Sequence, residues 1–333
     1  MSQALLSPSP SDGLTSLRFS PSNSDNDLLV VSSWDGHLYT YSNNSFLQSY
    51  PHNGALLDCA FANSEVLCAG LSGLALTNLQ LGNQTQLYDQ PVRCVELSER
   101  NLAICGTWAG ELLSIDIRSN EVMRCTLNDG HKALSMSLLD DFVALATTER
   151  SVYLFDIRKS LTSSWMQRQS ALAHQTRCIR LFKYKYGPFK GEVGFALSSV
   201  EGRVAVEMLD ADASKQEKYA FKCHRTINLN GENQLHPVNA IAFHPAFGTF
   251  VTGGCDGFVS IWDPVHKKRI CQYTQYPNDI SALNFNSDGS KLAIGVSYTY
   301  EFGEFSEKLN KPNQIYVRNV VDSEVYGKSV APR

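Results

Sequence analysis

The sequence predicts an all-β chain that closes into a seven-bladed β-propeller, and three observations lead to this fold class. Tight turns between apolar segments recur, and each is followed at a constant offset of six residues by the end of a strand. Segments with alternating apolar and polar residues precede the turns and recur about every forty residues. The stretch "TGGCDGFVSIWDP" also ends its strand on Trp-Asp. Short strands at this period with Trp-Asp endings are typical of WD-repeat blades.

The turns identify the second and third strands of each blade. Five of six have glycine in the second position, where a mirror-type hairpin turn needs positive φ. The six turns are Asp35-Gly36, Ser72-Gly73, Ala109-Gly110, Glu149-Arg150, Glu201-Gly202 and Asp256-Gly257.

The segments upstream of the turns give the first strand of each blade. They begin near residues 13, 54, 90, 132, 175, 236 and 279, which makes seven copies. One such sheet cannot bury both of its faces alone, but radial packing lets neighbouring sheets cover one another. We therefore predict a single domain over residues 1–333. The last blade lacks an outer strand, and "QALLS" near the N-terminus is the segment expected to supply it and close the ring.

Three segments interrupt the regular spacing. The connections at 158–174 and 210–235 are each long enough for an outer strand and an ordered loop. In the seventh copy, residues 298–313 replace the tight turn. The repeat pattern explains neither the length of this insertion nor its role.

Composition excludes several classes of protein. The chain has 333 residues, a formal net charge of −4 and 43% hydrophobic residues, which indicates a globular protein without general affinity for nucleic acid. Nine cysteines without paired spacing favour reduced thiols in the nucleus or cytoplasm. No apolar run approaches the roughly 20 residues of a membrane helix.

No pattern of residues predicts catalysis or a bound cofactor. The sequence contains no GxSxG, P-loop or dinucleotide-binding pattern, so we do not expect an enzyme. The Cys223-His224 pair lacks a second pair of ligands at suitable spacing, so we expect no metal. Histidines near the starts of the copies are expected to orient turn aspartates instead.

One rim of the ring should collect aromatic and basic side chains. In a propeller, the turn between the second and third strands lies on the same rim as the start of the first strand. Aromatic and arginine side chains there form a candidate binding surface. Its members are Trp34 and Trp108 beside two turns, Arg177 and Arg203 in the fifth copy, and Lys222 and Arg225 after it.

Structural roles compete with binding roles for some of these residues. Trp262 falls at a strand position that packs between blades, so we interpret it as structural. Trp165 lies in a connection, where packing is the favoured role. Arg203 is either a solvated turn residue or part of an anion site, and the neighbouring cations favour the site because clustered positive charges repel one another unless an anion binds.

Several stretches together resemble the Bub-three family of spindle-assembly-checkpoint WD-repeat proteins over nearly the whole chain. They include "SSWDGHLYTY", "QTRCIR", "SSVEGRVAVEML", "YAFKCHR" and "GGCDGFVSIWDPVHKKRICQ". The related mRNA-export WD-repeat factor of the nuclear pore has similar motifs. Two copies depart from the repeat pattern, since the third turn reads Trp-Ala-Gly and the second copy has neither Asp nor Trp at the expected positions.

The resemblance implies an adaptor without catalytic activity that works in the nucleus and at kinetochores in mitosis, with the cytoplasm also open. Such proteins bind GLEBS-type segments of the checkpoint kinase and its kinase-like relative, and they dock on phosphorylated MELT repeats of the outer-kinetochore scaffold. By resemblance, Trp34, Trp108 and Arg177 match the GLEBS-binding positions, and Arg203 and Lys222 match the pair that receives the phosphothreonine. The alternatives are an mRNA-export adaptor that binds a nucleoporin GLEBS segment, and a scaffold in an unrelated complex.

Overall fold

Seven four-stranded antiparallel sheets and a separate two-stranded hairpin are formed by the residues that the structure describes. The computed structural model describes residues 3–21, 27–127, 130–159, 161–209, 218–227, 230–304 and 306–327. Within these ranges, the innermost strand of each sheet contacts that of the next, and the innermost strand of the seventh contacts that of the first. The sheets therefore form a closed ring, and the predicted seven-bladed propeller is confirmed.

The first four blades follow one another along the chain after an N-terminal strand, β1 (Gln3–Leu6). Blade 1 contains β2 (Leu14–Phe19), β3 (Leu29–Ser33), β4 (His37–Ser42) and β5 (Ser45–Pro51). Blade 2 contains β6 (Leu56–Ala62), β7 (Glu65–Gly70), β8 (Gly73–Asn78) and β9 (Gln84–Tyr88). Blade 3 contains β10 (Val92–Leu97), β11 (Leu102–Thr107), β12 (Glu111–Asp116) and β13 (Val122–Thr126). Blade 4 contains β14 (Ala133–Leu139), β15 (Phe142–Thr147), β16 (Ser151–Asp156) and β17 (Met166–Gln169).

The other three blades include the irregular segments. Blade 5 contains β18 (Thr176–Lys183), β19 (Val193–Ser199), β20 (Arg203–Met208) and β21 (Lys218–Lys222). The separate hairpin is β22 (Arg225–Ile227) with β23 (Asn233–Leu235). Blade 6 contains β24 (Val238–Phe243), β25 (Phe250–Gly254), β26 (Val259–Asp263) and β27 (Lys268–Gln272). Blade 7 contains β28 (Ile280–Phe285), β29 (Lys291–Val296), β30 (Gln314–Asn319) and β1. Helical turns occur at Thr148–Arg150 and Glu307–Asn310 (3₁₀) and at Asp322–Val325 (α1).

The N-terminal strand closes the ring, as predicted. β1 pairs antiparallel with β30 in a continuous register, in which Leu5 lies opposite Tyr316 and Leu6 opposite Ile315. Leu6 is only 1% exposed and packs with Leu14 of the first blade. The chain's beginning is therefore part of the interface between the last blade and the first.

Each contact between neighbouring blades has its own apolar core. Buried apolar side chains of the described residues form seven clusters, and every cluster draws its members from two adjacent blades. The cluster between blades 5 and 6, for example, joins Phe182 to Phe243 with ring centroids 4.3 Å apart. Alternate side chains of the inner strands pack against the two neighbouring blades. Both faces of these strands are therefore buried, although their side chains alternate in direction.

Backbone conformation at the turns agrees with the pattern in the sequence, with one correction. Gly36, Gly110, Gly202 and Gly257 all have φ between 65° and 82°. Blade 4 achieves the same turn without glycine, since its turn residue Glu149 has φ 57°. The assignment of Ser72-Gly73 as the turn of blade 2 was wrong. Gly70 pairs directly with Gly73, so that the loop is Leu71-Ser72.

The irregular connections have the predicted elements. The segment 158–174 supplies β17, and the segment 210–235 supplies β21 and the additional hairpin, although its residues 210–217 lie outside the described residues. Residues 298–313 bridge β29 and β30. No helix in the described part of the chain has the length and apolarity to cross a membrane.

Candidate functional site

A ring of seven β-bulges surrounds the mouth of the central channel. The register of every innermost strand shifts by one residue near its start, which leaves one unpaired residue in each blade. Bulges locally re-aim a side chain. All seven bulged residues line the central channel: Thr15, Leu57, Arg93, Leu134, Arg177, Asn239 and Ser281.

The channel mouth opens into a cavity of about 570 Å³ on the face that has the turns between second and third strands, which we call the turn face. Trp34, Trp108 and Arg177 all line this cavity. They belong to blades 1, 3 and 5, and the ring brings them together from positions up to 143 residues apart (177 − 34). The structure therefore unites the three residues that the resemblance matched to a GLEBS segment.

Trp34 and Trp108 are positioned by their turns. The Trp34 backbone N–H donates to the carbonyl of Gly13 at 3.0 Å, and its indole is 46% exposed. A Cβ at position 13 would lie 3.3 Å from the Trp34 ring, so glycine leaves room for the indole. In blade 3, the Thr107 hydroxyl accepts from the Glu111 N–H at 3.1 Å and closes the turn that carries Trp108. Both indoles thus border the cavity from short, hydrogen-bonded turns.

Together with Arg93, Arg177 is one of two partly buried arginines that line the cavity. Its side chain is 32% exposed and forms an ion pair with Glu301 of the seventh-blade insertion. Burial lowers the pKa of the Arg177 guanidinium from its ordinary value, and the positive charge of Arg93 lowers it further. A desolvated cation beside a second cation favours an anionic ligand, because the anion offsets both effects.

Arg203 and Lys222 lie at the turn-face end of blade 5, and neither lines the central cavity. They stand directly opposite each other on the paired strands β20 and β21. Directly opposed residues of an antiparallel pair project their side chains to the same side of the sheet. The two cations therefore share one side of the blade, separate from the indole cavity.

The surroundings of this pair contain one carboxylate and a third cation. The Arg203 Nε lies 3.4 Å from a carboxylate oxygen of Glu201, and Arg225 donates to the Glu201 backbone carbonyl at 3.4 Å. The side chain of Arg203 is 37% exposed, and Lys222 is exposed. Gly202 has φ 65°, and a Cβ there would lie 2.7 Å from the Cys223 carbonyl. Glycine is thus required for the turn that holds Arg203 against the outer strand.

The Cys223-His224 pair forms part of a structural network. The His224 Nδ1 lies 2.8 Å from the Asp256 carboxylate, its Nε2 lies 2.8 Å from the Thr252 hydroxyl, and the Trp262 indole N–H donates to the same hydroxyl at 2.9 Å. Burial alone would raise the pKa of Asp256, but the hydrogen bond from His224 helps to lower it below the ordinary value. His224, which the sequence suggested only as a possible metal ligand, thus orients the turn aspartate Asp256. The prediction that histidines orient turn aspartates concerned those at the starts of the copies, such as His131, whose Nδ1 lies 3.2 Å from the Tyr153 hydroxyl.

Trp262 also packs between blades, as predicted, with its ring centroid 4.6 Å from that of Phe221 in blade 5. Trp165 is 39% exposed and contacts Phe142 at 6.1 Å between ring centroids. Among the residues that the structure describes, no three His, Cys, Asp or Glu side chains converge to hold a metal ion.

Among the cavity residues that the sequence-based prediction missed, one is a cation and two are aromatic. Arg93 lies on the bulge ring, while Tyr298 and Tyr300 come from the seventh-blade insertion. The signal for Arg93 was its place in "PVRCVEL", which aligns with Arg177 in "QTRCIR" as the second residue of the innermost strand. No repeat pattern could have placed the tyrosines, because the insertion replaces the repeating turn.

Comparison with known proteins assigns the chain to a family. Residues 221–263 match the family model described as "WD domain, G-beta repeat", a range that contains the His224 network. The chain is 42% identical to "Mitotic checkpoint protein BUB3.1" of Arabidopsis thaliana, over 97% of this chain and 94% of that protein. The chain belongs to the BUB3 family.

Other BUB3-family and related proteins are similar over most of the chain. "Mitotic checkpoint protein bub-3" of Caenorhabditis elegans is 37% identical over 89% of this BUB3-family chain and 88% of that protein. "mRNA export factor GLE2" of Chaetomium thermophilum is 30% identical over 95% of this chain and 89% of that protein. The solved structure titled "Structure of U3-55K" superposes with a TM-score of 0.79 at 14% identity, over 96% and 98% of the two chains, and shows the fold alone. The resemblance found in the sequence is thus confirmed for both the family and its relative.

Proposed function

We propose that this BUB3-family chain is a mitotic checkpoint adaptor that binds two peptide segments on its turn face and catalyses no reaction. A GLEBS-type segment of a checkpoint kinase, or of its kinase-like relative, occupies the central cavity. A phosphorylated MELT repeat of the outer-kinetochore scaffold binds at blade 5. The relatives named as mitotic checkpoint proteins support the checkpoint role and a nuclear or kinetochore-associated location.

The observation that carries the proposal is the pairing of Arg203 with Lys222 in register on neighbouring strands. A phosphothreonine brings a charge of about −1.5 to −2 and three acceptor oxygens. Arginine offers a planar fork of donors and lysine a compact positive charge, which suits adjacent phosphate oxygens. Glu201 balances only part of the local positive charge, since Arg225 also contacts this turn through the Glu201 carbonyl. Binding then requires phosphorylation, because an unmodified threonine supplies no charge.

The central cavity suits an acidic segment with apolar residues. Trp34 offers exposed and Trp108 partly exposed aromatic surface, and Arg177 offers a desolvated positive charge. Aromatic and arginine side chains account for most of the binding energy at peptide interfaces. With the two sites on one face, the chain is able to hold kinase and scaffold at the same time.

A peptide-binding measurement with matched variants tests the phosphate site. Substitution of both Arg203 and Lys222 by alanine should remove two charge-assisted hydrogen bonds, each worth about 1.5–3 kcal/mol, and so weaken a phosphorylated MELT peptide about 100-fold or more. Isothermal titration calorimetry against the phosphorylated and unphosphorylated peptide measures this loss.

Lys218→Ala is the control, because Lys218 lies at the far end of the same strand pair and contacts Glu207 at 3.6 Å. It should bind the phosphopeptide as the unmodified chain does. Equal affinity of the double variant and the unmodified chain, with circular dichroism unchanged in both, would remove Arg203 and Lys222 from the proposed site.

An mRNA-export adaptor is the second candidate function, favoured by the 30% identity to the GLE2 relative. It would use the same central cavity for a GLEBS segment of a nucleoporin. Affinity purification from mitotic cells, with and without phosphatase treatment, separates the two. Recovery of nucleoporins without checkpoint kinases would favour the export function, and phosphatase-sensitive recovery of the kinetochore scaffold would favour the checkpoint function.

A further inference from the structure

The bulge ring at the channel mouth has an uneven charge. Two of its seven members are arginines, Arg93 and Arg177, and the other five are neutral. Arg93 donates to the Leu57 carbonyl at 3.2 Å and, within the described part of the chain, has no acidic partner. Asp12 at the edge of the cavity is exposed, and its carboxylate accepts from the Gly13 N–H at 2.7 Å. The positive charge of Arg93 at the mouth is therefore available to a carboxylate.

The carboxylate of Glu301 already contacts Arg177 of the bulge ring. Glu301 forms an ion pair with Arg177, and its side chain is 21% exposed, so this acidic group from an irregular loop is largely covered. The two residues are 124 positions apart in the chain (301 − 177) and belong to different blades. The contact shows that Arg177 of the mouth pairs with a carboxylate in the free chain.

The loop that carries Glu301 is fastened at both ends to a single buried residue. Asp279, which is fully buried, accepts from the Thr299 N–H at 3.0 Å and the Thr299 hydroxyl at 2.8 Å, and it also pairs with Lys308. Lys308 in turn donates to the Cys255 carbonyl at 2.6 Å. Residues 299 and 308 are thus held together at the base, and residues 298–304 form a lobe beside the turn-face cavity.

Inside the lobe, local contacts aim Glu301 at the channel. The Tyr298 hydroxyl accepts from the Phe302 N–H and donates to the Gly303 carbonyl, both at 2.9 Å. Tyr300, directly before Glu301, has φ 62°, a conformation that costs a bulky side chain energy and persists where surrounding contacts impose it. The lobe is therefore an organised element that presents one carboxylate to one arginine.

We propose that Glu301 is an internal occupant of the acidic-segment site at the channel mouth, where it pairs with Arg177 beside Arg93, and that an acidic partner segment enters by displacing Glu301. This inference rests on the proposed function in one respect, since it takes a GLEBS-type segment as the natural displacing ligand. The insertion then sets the affinity of the site, because a ligand must compete with a group tethered beside it. Apparent affinity falls in proportion to the fraction of molecules in which the site is open.

Two probes, four single variants and one double variant test the proposal on the full chain. The probes are a GLEBS peptide and hexaglutamate, an acidic peptide with no other recognition feature, and binding is measured by fluorescence anisotropy of the labelled peptide. Glu301→Gln keeps the shape of the side chain but removes its charge, so both probes should bind about 3–10-fold more tightly. Glu304→Gln is the matched control, since Glu304 lies exposed in the same lobe, and it should leave both affinities within about twofold of the unmodified chain.

Arg177→Gln and Arg93→Gln identify the site of the effect. Each should weaken both probes about 10-fold or more, and Glu301→Gln added to Arg177→Gln should restore nothing, because the group that Glu301 covers is gone. A gain for hexaglutamate without any binding of the GLEBS peptide supports the carboxylate site and contradicts the proposed partner. No gain for hexaglutamate in Glu301→Gln, or an equal gain in the Arg177→Gln background, overturns the inference.

Discussion

The hydrogen-bond network around Thr252 offers a sharp test of how a blade is stabilised. The Thr252 side chain is fully buried, and its hydroxyl bonds both Trp262 and His224. With the proton of a neutral His224 on Nδ1, toward Asp256, the Nε2 accepts the hydroxyl proton while the oxygen accepts from the indole. Thr252→Val preserves shape and β-branching but removes the hydrogen-bond partner of the Trp262 indole N–H and of the His224 Nε2.

The expected loss of stability follows from the two polar groups that lose their hydrogen-bond partner. Each buried polar group that loses its partner costs about 1–3 kcal/mol, so Thr252→Val should lower the free energy of unfolding by about 2–4 kcal/mol. Thr249→Val is the matched control in the same blade. Thr249 is also fully buried but donates only one hydrogen bond, to the Val325 carbonyl at 2.9 Å. Its loss should be about 1–1.5 kcal/mol.

Urea unfolding followed by far-UV circular dichroism measures both variants, since a fluorescence signal would respond directly to the altered surroundings of Trp262. The dependence of the free energy on urea concentration should be the same in all three proteins, because the surface exposed on unfolding does not change. If Thr252→Val is no more destabilising than Thr249→Val, the network does not act as a unit and our account of this blade is wrong.

Two further predictions concern ring closure and pH. Leu6→Ala should lower the free energy of unfolding in urea by about 2–4 kcal/mol, because Leu6 is buried between the last blade and the first. Leu5→Ala is the control, since Leu5 is 53% exposed, and it should lower this free energy by less than about 0.5 kcal/mol. Equal losses would refute the role of the N-terminal strand in closure. Burial, followed by the charge of His37, lowers the pKa of His52 to about 4. The unfolded chain therefore takes up a proton between about pH 6.5 and 4 that the folded chain does not, so stability should fall as pH falls through this window, and His52→Gln should flatten the measured dependence.

Much of the architecture was readable from the chain because the repeat is local. Gly36, Gly110, Gly202 and Gly257 occupy turns that need positive φ, and this requirement acts within a few residues of each turn. The predicted turn of blade 2 was misplaced by one residue, because Gly73 was interpreted as a turn glycine. The Tyr88 carbonyl of the outer strand lies where a Cβ of Gly73 would be, only 1.9 Å away, so this glycine serves a close approach between strands and not the turn itself.

The site was readable only in part. Trp34, Trp108 and Arg177 came from their places beside turns and strand starts, which the ring geometry turns into a shared cavity. Glu301 and Arg93 could not be predicted in this way. Glu301 lies in an insertion with no counterpart in the other copies, and Arg93 belongs to the site only because the closed ring places it near Arg177. The roles assigned to Arg203 and Lys222 stay predictions until the phosphopeptide measurement is made.

By itself, the sequence determined the repeating unit, the number of blades and the strand that closes the ring, since alternation and turn chemistry depend on residues close together in the chain. Only the tertiary structure decided which charges meet at the channel mouth. Closure of the ring brings Arg93, Arg177 and Glu301 from three blades to one place, and the lobe fastened by Asp279 determines that the carboxylate reaches the arginine. Such contacts depend on the path of the whole chain, because electrostatic partners are selected by distance in space and not by separation in sequence.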